Sequence, residues 1–215
     1  MIKIAPSILA ADFTKLGYDI ESVSSADYLH FDVMDGVFVP NISFGIPVLE
    51  SVRKATDMIL DVHLMIENPS RYITKFAKAG ADIITFHVEA ETHDNTLRAI
   101  NEIHKLGKKA GLSIKPDTPA KNLLPYIDSL DLALVMTVEP GYGGQMFIST
   151  MLPKIKELRD VINNKGINCE LEVDGGINPK TAKQCIEAGA NVLVTGYDLF
   201  NMADRAAHIT KLRNP

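Results

Sequence analysis

Two histidines and two aspartates stand at corresponding places in three short apolar runs of this sequence, and together those residue types make a metal site. The first run is Tyr28-Leu29-His30-Phe31-Asp32-Val33-Met34-Asp35-Gly36. Read as a strand, it turns His30, Asp32 and Met34 to one face, because strand side chains alternate with a period of two. Asp35-Gly36 then supplies turn chemistry. The run Leu60-Asp61-Val62-His63-Leu64-Met65 puts His63 and Met65 on one face. The run from Cys169 to Gly176 carries Asp174 at its tip. Two imidazoles with two carboxylates suit Zn²⁺, Fe²⁺, Mn²⁺ or Co²⁺ better than Ca²⁺ or Mg²⁺, which prefer all-oxygen shells. The competing reading makes each of the four a hydrogen-bonded residue at a strand end, and their convergence argues against it.

Elements that could bring these runs together recur along the whole chain. Strand-like segments are Ile2–Leu9, Tyr28–Val33, Ile59–Leu64, Ile83–Val88, Ala110–Ile114, Leu132–Val138, Cys169–Val173 and Val192–Thr195. They are rich in Val, Ile and Leu with little alternation, as strands buried on both faces should be. Between them lie helical segments such as Pro69–Lys78, Asn95–Leu106, Met151–Lys165 and Pro179–Glu187. Gly80, Gly107, Gly166 and Gly189 follow such segments in capping positions. Ala79-Gly80-Ala81-Asp82 and Ala188-Gly189-Ala190-Asn191 are near-copies, so one helix-to-strand turn is expected twice. Eight βα units of roughly 27 residues predict a compact α/β protein, a single (β/α)₈ TIM barrel over residues 1–215. A doubly wound open sheet shares the alternation, but would not easily bring strands 2, 3 and 7 together.

Composition narrows the class. The 22 basic residues are outnumbered by 27 acidic ones, so no basic stripe offers itself to nucleic acid. Cys169 and Cys185 have no metal-like or redox-motif spacing, which predicts a reduced, cytoplasmic protein. Met1–Pro6 runs straight into strand-like sequence, so no signal peptide is expected, and no apolar run approaches the roughly 20 residues that span a bilayer.

Glycines gather after the last three strands: Gly141, Gly143 and Gly144 after the sixth, Gly175 and Gly176 after the seventh, Gly196 after the eighth. Backbone N–H groups there can approach an anion, and barrels commonly bind phosphate after strands 7 and 8. A phosphorylated substrate is therefore expected. Met34, Met65 and Met136 share the ends of strands 2, 3 and 6, as core filler or as a water-poor wall beside the metal. His104 and His208 are expected on the surface and His93 in a loop, while His87 is expected beside a ligand rather than as one.

The combination resembles the ribulose-phosphate 3-epimerase family nearly end to end. The segments that carry it are Ala5–Asp12, His30–Gly36, Phe38–Gly45, Asp61–Met65, Met136–Gln145 and Glu172–Gly176. The resemblance implies an isomerase of carbohydrate metabolism, in the pentose phosphate pathway, that interconverts D-ribulose 5-phosphate and D-xylulose 5-phosphate. It implies one divalent ion per subunit, Zn²⁺ first, on His30, Asp32, His63 and Asp174, with Asp32 and Asp174 as the acid/base pair. It further places Ser7, His63 and the three methionines near the sugar, and the glycine rim with Tyr197 at the phosphate. A homo-oligomer, dimer or hexamer, is expected. Epimerisation beside a ketone needs a proton removed from one face and returned to the other, which two carboxylates across a barrel can do.

The chain departs from the family pattern at Tyr197, where serine is usual, and Asp198 beside it must point away from a phosphate. Lys115 and Glu139, each before a proline, replace neutral asparagines and are expected to pair across the rim. Within the wider family, allulose-6-phosphate 3-epimerases tend to lack the glycines matching Gly143 and Gly176, so the resemblance favours the pentulose over a six-carbon ketose phosphate such as allulose 6-phosphate. A Mg²⁺-dependent decarboxylase conflicts with the paired histidines, and a catalytically silent phosphate-binding barrel conflicts with both aspartates being present.

Overall fold

The eight apolar runs all become strands, and all eight run parallel in one sheet. The computed structural model describes residues 1–215. Its strands are β1 (Lys3–Pro6), β2 (Tyr28–Met34), β3 (Ile59–Met65), β4 (Ile83–His87), β5 (Lys109–Ile114), β6 (Leu132–Met136), β7 (Glu170–Asp174) and β8 (Val192–Thr195). Its helices are α1 (Leu16–Glu21), α2 (Ile46–Ala55), α3 (Ile73–Ala79), α4 (His93–Lys105), α5 (Leu152–Lys165), α6 (Pro179–Ala188), α7 (Tyr197–Phe200) and α8 (Arg205–Arg213). Strands pair in sequence order from β2 to β8, and β8 then pairs with β1. The parallel bridge Ser7–His30 closes the ring between β1 and β2.

Alternation sorts the side chains into two cores. Leu29, Phe31, Val33, Leu60, Val62 and Leu64 face outward into a 49-residue apolar shell beneath the helices. Burial of each such side chain stabilises the fold by ~1.5–3 kcal/mol. Tyr28, Ile83, Leu132, Leu134 and Val192 belong to a separate apolar cluster inside the barrel. Tyr28, Ile83, Leu132 and Val192 open their strands and fill the N-terminal end, while Met136 and Val138 of the same cluster reach the other end, beside the polar inward residues.

The repeated helix-to-strand turn is real and includes more than the near-copy. Gly80 and Gly189 take φ of 115° and 110°, and a Cβ on either would lie within 2.7 Å of an arginine side chain, Arg53 or Arg159. Each arginine then reaches the residue two further on: Arg53 Nη1 donates to Asp82 Oδ2 at 3.0 Å and Arg159 Nη2 to Asn191 Oδ1 at 2.9 Å. Those same oxygens accept the backbone N–H of the second residue in a neighbouring strand, Leu60 in β3 and Leu171 in β7. Glycine is needed at both positions because any side chain would displace the arginine.

Several boundaries differ from the sequence reading. The first strand stops at Pro6, because the Ser7 hydroxyl accepts from Leu9 N and caps a 3₁₀ turn over Ile8–Ala10. β6 stops at Met136. The helix expected from Pro69 begins as a 3₁₀ turn, and α3 starts at Ile73. α4 starts early, at His93, because Thr92 caps it. His93 is thus helical rather than in a loop, and its Nδ1 lies 2.7 Å from the Tyr126 hydroxyl. One unit has no α-helix: β5 and β6 are joined through 3₁₀ turns at Ala120–Asn122 and Ile127–Ser129.

Candidate active site and metal centre

The register sets Asp32 beside His63 on adjacent strands, and Met136 beside Asp174. One donor atom from each of His30, Asp32, His63 and Asp174 falls within 4.8 Å of the others. His30 Nε2 lies 3.3 Å from Asp32 Oδ1 and 4.0 Å from Asp174 Oδ2, and His63 Nδ1 lies 3.2 and 3.8 Å from the same oxygens. A tetrahedral ion with bonds of about 2.1 Å separates its donors by about 3.4 Å, so this set matches one ion. His30 Nε2 is fully buried and has no hydrogen-bond partner, as a metal-directed lone pair requires.

Neighbouring polar groups aim these donors. The Asp61 carboxylate accepts from His30 Nδ1 at 2.7 Å, which turns Nε2 to the centre. Ser7 Oγ donates to Asp32 Oδ2 at 2.5 Å, leaving Oδ1 toward the histidines. Ser43 Oγ donates to the Asp32 carbonyl and accepts from Met34 N, pinning the end of β2. Thr137 bonds the Asp174 carbonyl through its N–H and the Gly175 carbonyl through its hydroxyl, pinning the end of β7.

The two carboxylates differ in their hold on a proton. Burial raises Asp32, yet the charge and hydrogen bond of His30, with His63, outweigh it and hold the carboxyl well below the usual range. Burial, reinforced by the Asp32 charge, pushes Asp174 up to about 6. Burial disfavours charge on His30, but Asp32 and Asp61 more than offset it and raise its pKa well above the ordinary value. Burial followed by the Asp61 charge raises Glu172 far up, so it sits neutral beneath the centre.

Above the four donors opens a cavity of about 800 Å³. Its lining includes Ser7, Asp32, Met34, Met65, Met136 and Asp174, with Gly141, Gly143, Gly144, Gly175, Gly176, Gly196 and Tyr197 around the rim. His63 lies behind this wall rather than in it. The glycine rim is a requirement of shape: at Gly176 (φ 67°) a Cβ would meet Phe147 N at 2.6 Å, and at Gly175 (φ 122°) Val138 at 2.4 Å. The Tyr197 ring lies over the loop, 3.0 Å from where a Cβ of Gly143 would stand.

Two expectations about charged residues are corrected. Lys115 and Glu139 form no ion pair. The Lys115 ammonium lies 3.8 Å from the centre of the Phe38 ring and 3.5 Å from the Phe38 carbonyl, a desolvated partner that an exposed carboxylate does not match. His208 is 9% exposed, not a surface residue, and bonds the Asp198 carboxylate. That bond ties Asp198 away from the rim. His104 is half-exposed on Asp131, as expected, and His87 stands 2.9 Å from His63 without being a donor to the centre.

Asp61, Glu89 and Glu172 went unselected in the sequence reading. The signal existed for two of them: Asp61 and Glu172 each precede a donor by two residues, and so share its face of the strand. Glu89 sits two after His87, beyond the end of β4, where strand alternation no longer guides.

Against known proteins, residues 3–200 match the family model described as the ribulose-phosphate 3 epimerase family. The chain is 52% identical over 216 residues to the ribulose-phosphate 3-epimerase of Bacillus subtilis (strain 168), covering 99% of each. It is 47% identical to the ribulose-phosphate 3-epimerase of Synechocystis sp., covering 99% of this chain and 94% of that one. A solved 3-keto-L-gulonate-6-phosphate decarboxylase from Vibrio cholerae shares the fold at 16% identity, with a TM-score of 0.74 over 99% of this chain and 95% of that one. At such identity the likeness is one of fold alone, whereas the sequence relatives match from end to end. The chain belongs to the ribulose-phosphate 3-epimerase family.

Proposed function

We propose that the chain is a metal-dependent 3-epimerase that interconverts D-ribulose 5-phosphate and D-xylulose 5-phosphate, with Asp32 and Asp174 as its proton-transfer pair. The observation that carries the proposal is that Asp32 and Asp174, with His30 and His63, meet at one centre on the floor of the cavity. Asp32 and Asp174 reach the centre from strands across the barrel, so one can accept a proton from one face of the sugar while the other serves the opposite face, and Asp174 holds a proton more tightly than Asp32 does. Carbon 3 of the sugar lies between them. Asp32 takes its proton on one face, Asp174 returns one to the other, and the reverse reaction exchanges the roles.

His30, Asp32, His63 and Asp174 would hold the ion, with Zn²⁺ the best fit to two nitrogens and two oxygens and Fe²⁺, Mn²⁺ or Co²⁺ the alternatives. A divalent ion held there would supply positive charge against the negative charge that develops on the substrate oxygens, a contribution of several kcal/mol. Ser7 orients Asp32, the methionine wall keeps water from the carbanionic face, and the glycine rim offers backbone N–H groups to the phosphate. Cytoplasmic location and assembly as a dimer or hexamer belong to the same proposal, and sedimentation of the purified protein tests the latter.

A coupled assay on metal-quantified protein, with D-ribulose 5-phosphate and D-allulose 6-phosphate compared, tests the function. The pentulose should be turned over with the higher kcat/KM, and activity should follow metal content. Preference for the hexulose phosphate, or activity that chelation leaves intact, would overturn it.

A further inference from the structure

We infer that Glu89 and His87 are positioning residues that fix the proton on His63 and so present its Nδ1 lone pair to the metal. The inference rests on the four-residue metal site proposed above. It follows from counting hydrogens along three contacts. The Glu89 carboxylate can only accept, and its Oε2 stands 3.2 Å from His87 Nδ1, so that nitrogen carries a proton. The other oxygen of Glu89 accepts the Lys115 backbone N–H at 2.8 Å, which holds the carboxylate in place. A neutral His87 then has a lone pair at Nε2. That atom is 2.9 Å from His63 Nε2, which must therefore be the donor. The remaining nitrogen of His63, Nδ1, is left with its lone pair facing Asp32 Oδ1 and Asp174 Oδ2. In the metal-free protein a proton can bridge His63 Nδ1 and Asp32 Oδ1, 3.2 Å apart, and an ion takes its place.

The surroundings protect the chain of contacts. His87 is fully buried, its ring end to end with that of His63 at 5.1 Å between centres, and covered by the Phe38 ring at 4.9 Å. Water thus has no access to compete for His87 Nε2. The two histidine ligands are served unequally: Asp61 acts directly on His30, whereas Glu89 reaches His63 through an interposed imidazole. Outer partners of metal-bound histidines commonly change metal affinity by about 10–100-fold when removed.

The test measures Zn²⁺ dissociation by competition with a chelator, alongside the ¹⁵N shifts of the His63 ring in the metal-free protein. His87→Phe removes the acceptor and should weaken Zn²⁺ by about 10–100-fold, with His63 no longer held in one tautomer. His87→Gln puts an amide oxygen where Nε2 stood and should recover most of the affinity. Glu89→Ala should weaken Zn²⁺ by about tenfold, and Glu89→Gln, still an acceptor, should not. At saturating Zn²⁺, kcat and KM of the Glu89 variants should return to wild-type values, because the residues act through the ligand and not on the substrate. Thermal melting reports whether each variant is folded. Should His87→Phe not fold, the Glu89 pair decides, since that side chain is 22% exposed. Equal Zn²⁺ affinity for wild type and Glu89→Ala, or glutamine variants no better than the alanine and phenylalanine ones, overturns the inference alone. Failure of the wild type itself to bind Zn²⁺ overturns the four-residue site and this inference with it.

Discussion

Lowering the pH should release the metal steeply, and replacing Asp174 should flatten that dependence by a calculable amount. In the metal-free protein two of the donors hold protons that an ion must displace. Asp174, at about 6, is ~90% protonated at pH 5 and ~10% at pH 7. Its share of the change in affinity across those two pH units is about tenfold. His30, raised above its ordinary value by Asp32 and Asp61, pulls in the same direction. Asp32, held well below the usual range, adds nothing. Affinity for Zn²⁺ should therefore fall from pH 7 to pH 5, with about tenfold of the fall, about 1.4 kcal/mol, due to Asp174. In Asp174→Asn the fall should be about tenfold smaller, on top of weaker binding at every pH. Chelator competition at pH 5, 6 and 7 measures the slope. Calorimetry in buffers of different ionisation enthalpy counts the protons, and wild type should release about 0.9 more than Asp174→Asn at pH 5 but only about 0.1 more at pH 7. An affinity flat between pH 5 and 7, or equal slopes for wild type and Asp174→Asn, would refute the assignment of those protons.

Asp32→Asn and Asp174→Asn should each lower kcat by at least about 100-fold. Asp174→Asn should still exchange one substrate proton with solvent, seen as deuterium wash-in by NMR, and activity within about tenfold of wild type in either variant would sink the two-carboxylate mechanism. Gly176→Ala forces a side chain against the Phe147 backbone at a φ of 67°, and should cost about 1–3 kcal/mol in thermal unfolding while raising KM for the sugar phosphate. A double-mutant cycle should find a coupling of about 0.5–1 kcal/mol between Lys115 and Phe38. The same cycle on Lys115 and Glu139 should find none, and a larger coupling there would reinstate the rim ion pair.

The sequence by itself determined the barrel and the residues that meet in it. Strands buried on both faces read as apolar runs, and helix ends read from their glycines, because both depend on neighbours close in the chain. His30, Asp32, His63 and Asp174 were legible for the same reason, since period-two alternation and a position at a strand exit are local properties. Boundaries at Pro6 and Ile73 were not, because one hydroxyl cap or one 3₁₀ turn moves them by several residues. Tertiary structure alone decided which partners the polar groups take. Whether Lys115 reaches Glu139 or Phe38 depends on where the loop after β2 lies over β5, some 77 residues away in the chain. His208 lies on the inner face of α8 with Ile209 and Leu212, but its partner Asp198 comes from across the α7–α8 turn. The proton assignments of the site belong to the same class. Asp61, His87 and Glu89 set the tautomers of the two histidines, and Asp32 sets the proton affinity of Asp174. Both effects fall off over a few ångströms of space, and only folding brings those strands within that distance.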